Sequence, residues 1–138
     1  VIPPSLAIAQ AANESAWGKS RFAKQANNYF GQYCYVKGCG ITPQDNNRRT
    51  GTARRAKKFS NVDEAVRSYV NNLNSHPAYE KLRKTRYEHR QNNRTPKGSA
   101  MAKGLIPYST RGKHYVTRIT NIIKNFNLEE LDNSSLSS

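Results

Sequence analysis

Pro3-Pro4-Ser5 opens a stretch in which Leu6, Ile8, Ala9, Ala11 and Ala12 leave almost no polar side. Proline sits well in a first helical turn, where its missing N–H costs nothing, so the stretch reads as a helix from its first residues. A helix that is small and apolar nearly all round has no face to give to water and is expected to be buried. The rest of the chain must therefore wrap it. The material for doing so is limited: in 138 residues the hydrophobic share is 36%, enough for one domain with a small core. A two-lobed body with a groove suits that composition better than a thick sandwich.

Beyond this helix, Gly18 interrupts the pattern and Ser20 is placed to cap a short second helix to about Gln25. Asn27-Asn28-Tyr29-Phe30-Gly31 reads as a turn with inward aromatics. Residues 33–60 are rich in Gly, Pro, Thr and Asn, and support two or three short strands near Gln32–Val36 and Arg54–Phe59, with Gln44–Gly51 the least regular part. Asn61-Val62-Asp63-Glu64 is a capped helix start, its acids serving the cap. Val62, Ala65, Val66, Tyr69, Val70 and Leu73 then recur at helical spacing. Pro77 opens a further helix with Tyr79 and Leu82 on one face, ended by Asn92-Asn93 and Pro96. A short helix spans Ser99–Leu105, Pro107 breaks it, and the last helix carries Tyr115, Ile119, Ile122, Ile123 and Phe126. We expect one domain over 1–130 and a polar, disordered tail over 131–138.

The formal net charge is +14, which calls for a polyanionic partner: nucleic acid, anionic lipid or an acidic wall polymer. No recognised nucleic-acid motif accompanies it, and the basic residues are spread from Lys19 to Lys124. No apolar run is long enough to span a membrane. The opening at Val1 lacks a basic n-region and reads as the start of an excised piece. Cys34 and Cys39 enclose four residues, a spacing that favours a small disulfide-closed loop over two free thiols or structural zinc. His76, His89 and His114 show no ligand spacing, so no metal and no cofactor are expected. Glu80 and Glu88 lie among Lys and Arg and read as solvated helix-face ion pairs.

Glu14 is the first charged residue, and Lys19 is the next. A lone carboxylate ending an apolar helix is costly unless something satisfies or uses it. It is either a clamp on backbone amides or a general acid. If the helix runs as far as Trp17, the indole shares a face with Glu14, and an aromatic wall would keep the carboxyl protonated for donation to a glycosidic oxygen.

Ala11-Ala12-Asn13-Glu14-Ser15-Ala16-Trp17-Gly18, followed by Ser20-Arg21-Phe22-Ala23, resembles the catalytic helix of the bacterial glucosaminidases (glycoside hydrolase family 73). The likeness is to their Bax-like branch, related to flagellar peptidoglycan hydrolases. Asn27-Asn28-Tyr29-Phe30-Gly31 resembles the motif that follows this helix in the family. Ser68-Tyr69 with Leu73, His76-Pro77-Ala78-Tyr79, and Tyr108-Ser109-Thr110 with Tyr115-Val116 look like its middle and closing segments. The resemblance implies a mainly α (α+β) fold, with a lysozyme-like helical lobe and a small irregular β lobe flanking a substrate cleft. It implies hydrolysis of the β-1,4 bond on the reducing side of N-acetylglucosamine in peptidoglycan, by a monomer in the bacterial periplasm or envelope. Glu14 falls on the family's catalytic glutamate and Tyr115 on an aromatic of the same cleft, with Trp17, Asn28, Tyr29, Phe30 and Tyr108 on the substrate side.

The second catalytic carboxylate that most glycosidases use is harder to find. Between residues 41 and 60 the only acid is Asp45. Either Asp45 serves as base, or the sugar's own 2-acetamido oxygen acts as internal nucleophile. The rival functions are a lytic transglycosylase or muramidase on the same polymer, a catalytically impaired wall-binding module, and a nucleic-acid binder.

Overall fold

The helix expected from the proline pair spans Pro4–Glu14 (α1) in a computed structural model that describes residues 1–42 and 54–133. Leu6 and Ala9 are fully enclosed and Ala12 is buried, whereas Ile8 is 41% exposed, so one edge of the helix does reach solvent. The fold is mostly helical, with one small antiparallel sheet. It divides into two compact units: Val1–Gln10 with Val70 onward, and Ala11–Tyr69.

In the first unit, the end of α3 (Val62–Ser75) leads through a 3-10 turn, Pro77–Tyr79, into α4 (Glu80–Gln91). His76 caps that turn, its Nδ1 accepting from the Ala78 N–H at 3.0 Å. Arg83 closes the end of α3 by donating from Nη1 to the Leu73 and His76 carbonyls, both at 2.9 Å. Next come α5 (Gly98–Ala102), a 3-10 segment Lys103–Tyr108, and α6 (Lys113–Asn125). Leu73, Leu82, Met101, Leu105, Ile119 and Ile123 form the core here, together with Leu6 from α1. Gly98 lets α5 approach α1: a Cβ on it would lie 1.9 Å from Ser5 Oγ.

The second unit holds the last turn of α1, α2 (Arg21–Ala26), the sheet and the start of α3. Ser20 caps α2 as expected, its Oγ accepting from the Ala23 N–H at 3.1 Å. Asn27 ends the helix in the left-handed region, φ 53°, a conformation asparagine tolerates. The strands β1 (Tyr33–Cys34), β2 (Gly40–Ile41) and β3 (Arg55–Lys57) are antiparallel with β3 in the centre, Tyr33 opposite Ala56 and Gly40 opposite Lys57. Cys34 and Cys39 are disulfide-bonded. α3 starts on an Asn61 cap, Oδ1 accepting from the Glu64 N–H at 2.8 Å, with Asp63 and Glu64 in its first turn as expected. Its buried stripe is narrower than the sequence suggests: Ala65 and Tyr69 are enclosed, but Val62 and Val66 are exposed.

The expected tail needs correction. Leu131–Asn133 are not frayed but complete a 3-10 helix, Leu128–Asn133, whose Asp132 is buried. Its Oδ1 accepts from the Ser5 N–H at 2.9 Å, and its Oδ2 accepts from Ser5 Oγ at 2.6 Å and from the Gly98 N–H at 2.9 Å. Glu129 accepts from the N–H and hydroxyl of Ser99. Two acids remote in sequence thus cap the starts of α1 and α5, where helix dipoles favour negative charge. Polar composition hid this, because a cap supplied from far along the chain has no local signature. Asp132→Ala leaves two buried N–H groups unpaired and should cost about 3 kcal/mol, read by chemical denaturation, with Asp132→Asn intermediate.

Candidate active site

Glu14 is the last residue of α1 and is half-buried. The helix does not run on to Trp17. Ala16 and Trp17 are both left-handed, φ 51° and 59°, and Gly18 follows at 81°. The shared helical face expected for Glu14 and Trp17 therefore does not form, and Trp17 is 56% exposed. Left-handed backbone costs a residue bearing a Cβ roughly 1–2 kcal/mol, so the turn must be held by its surroundings. Ser15, 2% exposed, holds it: its Oγ donates to the Ala11 carbonyl at 2.6 Å and accepts from the Gly18 N–H at 2.8 Å. The Trp17 N–H reaches the Ala12 carbonyl and the Ser20 N–H the Ser15 carbonyl, each at 2.9 Å. Backbone strain held in this way is a mark of functional sites. In the sequence only Gly18 signalled it.

The loop after α2 meets this turn at two points. Gly31, at φ 67°, lies under the Glu14 carboxyl: a Cβ there would be 2.7 Å from Oε2 and 3.3 Å from Cδ. Tyr29, half-buried, has its ring edge 3.7 Å from where a Cβ on Gly18 would stand. Glycine at 31 is thus required twice, by backbone conformation and by the carboxyl above it.

The Asn28 amide is committed to the backbone. Nδ2 donates to the Gln32 carbonyl at 2.8 Å and the Lys57 carbonyl at 2.9 Å, and Oδ1 accepts from the Gln32 N–H at 3.2 Å. At 2% exposure Asn28 staples the loop to β3 and presents no polar atom to a ligand. Phe30 is likewise a core residue, 4% exposed and stacked on Tyr69 with centroids 4.0 Å apart. Of the aromatics expected on the substrate side of this unit, Trp17 and Tyr29 are the ones with accessible surface.

Tyr115 and Tyr108 belong to the first unit, where their rings stack at 5.6 Å and Tyr79 follows at 6.1 Å. Tyr115 is 4% exposed, and its hydroxyl accepts from Gln10 Nε2 at 2.9 Å. Gln10, fully buried on α1, is a residue that reading by periodicity passed over. Burial pushes the Tyr79 hydroxyl above its ordinary pKa, against a hydrogen bond with Asn72 that works the other way. Asp45 lies outside the described residues. Among the described residues, no group of three or more His, Cys, Asp or Glu side chains is arranged to hold a metal ion.

The family model for glucosaminidases, described as mannosyl-glycoprotein endo-beta-N-acetylglucosaminidase, matches residues 1–128. The chain is 40% identical to Protein bax of Escherichia coli (strain K12) over 115 residues, 83% of this chain and 39% of that protein. It is 31% identical to Exo-glucosaminidase LytG of Bacillus subtilis (strain 168) over 145 residues, 98% of this chain and 49% of that one. The chain thus spans less than half the length of either curated relative. Among solved structures, the catalytic domain of the autolysin Auto from Listeria monocytogenes superposes with a TM-score of 0.63 at 22% identity, covering 94% of this chain and 75% of that one. That likeness establishes the fold.

Gly31→Ala should destabilise the protein by about 1–2 kcal/mol through its left-handed backbone and the carboxyl contact together. In the Glu14→Ala background the penalty should shrink, because the contact is gone. A double-mutant cycle by denaturant titration reads that coupling.

Proposed function

The chain belongs to the glucosaminidase family, and on that premise we propose that it hydrolyses peptidoglycan, cutting the β-1,4 bond on the reducing side of N-acetylglucosamine with Glu14 as general acid. The observation that carries the role of Glu14 is its setting. It is a half-buried carboxyl at the end of α1, seated against Gly31 and followed, after Ser15, by two strained, non-glycine left-handed residues.

In the proposed reaction, Glu14 donates its proton to the glycosidic oxygen as the bond from that oxygen to the anomeric carbon breaks. Two routes complete it. In one, Asp45 takes the proton of a water that attacks the anomeric carbon. In the other, the 2-acetamido oxygen attacks first, and Glu14, now a carboxylate, takes the proton of the water that resolves the intermediate. Trp17 and Tyr29, the aromatics beside Glu14 with accessible surface, supply apolar faces for sugar rings. A net charge of +14 suits a wall polymer bearing stem-peptide carboxylates, and the work is done by a monomer in the envelope, in the periplasm where the cell has one. The names of two relatives, an exo-glucosaminidase and an autolysin, support the same substrate class.

Mass spectrometry of purified peptidoglycan digested with the protein should show new reducing-end N-acetylglucosamine. Glu14→Gln should lower the rate by about 10³, with an unchanged far-UV spectrum. Products ending in 1,6-anhydromuramic acid would replace hydrolysis with lytic transglycosylation. Asp45→Asn decides between the two routes: full activity selects the acetamido route, and a loss of about 10² or more selects Asp45 as base.

A further inference from the structure

From Tyr33 to Ile41 no side chain is buried, yet the Cys34–Cys39 disulfide clamps this segment. The Cys39 N–H closes a turn on the Val36 carbonyl at 3.0 Å, and the Lys58 N–H binds the Cys39 carbonyl at 3.1 Å. A covalent clamp on a segment that contributes nothing to the core does not serve core packing. It fixes the shape of a surface loop and so removes the ordering cost of binding there.

The surface held out by the clamp is aromatic. Tyr33 is 43% exposed, Tyr35 65% and Val36 73%. A single exposed apolar residue needs no explanation, but three within four positions on a fixed turn make a patch. Tyr33 ends the chain's approach to the loop in β1, and Tyr35 follows half-buried Cys34 just beyond that strand, inside the disulfide-closed loop. The Arg54 guanidinium stands over the Tyr33 ring, 4.2 Å from its centroid. A flat apolar ring beside a fixed guanidinium matches a sugar whose C–H face can lie on the ring while a carboxylate on the same chain pairs with the arginine.

We propose that the Cys34–Cys39 loop is a glycan-binding lip, on which Tyr35 stacks a sugar ring and Arg54, steadied by Tyr33, takes a carboxylate of a stem peptide. The inference rests on the preceding reading that the polymer is peptidoglycan. It goes beyond that reading by assigning binding to residues with no part in bond cleavage.

The test is co-sedimentation with purified peptidoglycan in the Glu14→Gln background, so that the polymer is not consumed. Tyr35→Ala should weaken binding about tenfold, as expected for loss of one aromatic anchor, and Tyr35→Phe should bind as the parent does. Arg54→Gln should weaken binding to peptidoglycan but not to a chitooligosaccharide, which has no carboxylate. Cys34→Ser with Cys39→Ser should weaken both. Tyr35→Ala with parental affinity overturns the lip alone. Failure of the Glu14→Gln parent to sediment overturns the lip and the substrate reading together. A Tyr35→Ala variant that loses affinity for a single-stranded oligonucleotide while keeping it for peptidoglycan reassigns the patch to nucleic acid.

Discussion

The abrupt end of α1 is the constraint on which the candidate site depends. A helix that stops at Glu14 and turns left-handed at Ala16 and Trp17 leaves the carboxyl at the helix end instead of carrying it along a continuing face. That turn is an unfavourable conformation for residues with a Cβ, and the Ser15 hydroxyl holds it by bonding on both sides. Gly18 faces the Tyr29 ring, and Gly31 comes up beneath Glu14. Each feature requires the previous one. A longer helix would move Gly18 away from Tyr29, and any side chain at position 31 would displace the carboxyl.

A carboxylate stands at each end of α1. At the start, Asp132 accepts hydrogen bonds from the Ser5 N–H and hydroxyl and from the Gly98 N–H, satisfying N–H groups that the helix starts leave unpaired. At the finish, Glu14 meets the negative end of the helix dipole. One carboxylate reaches the start of α1 from a remote 3-10 helix and ties it to α5, and the other is the last residue of α1 itself.

Exposure separates the aromatic residues into two roles. Phe30 and Tyr69 stack in the core of one unit, and Tyr79 and Tyr115 are buried in the other. Trp17, Tyr33 and Tyr35 are left outside. Two neighbours in one motif, Tyr29 and Phe30, therefore do different work: Phe30 anchors the loop from within, and Tyr29 abuts the turn that follows Glu14. Asn28 does a third kind of work, since its committed amide pins the loop to β3.

Local rules made most of the elements legible. The proline pair, the Ser20 and Asn61 caps, the four-residue spacing of Ala65, Tyr69 and Leu73, and the Cys34–Cys39 spacing each act within a few residues, so each could be read along the chain. The motif around Glu14 pointed to the family in the same way. Tertiary structure alone decided that Gly31 lies under the Glu14 carboxyl, that Asn28 and Phe30 face inward, and that Asp132 is a buried cap instead of part of a tail. The reason is physical: these outcomes are contacts between residues up to 127 positions apart, and no periodicity or propensity encodes which distant group will arrive.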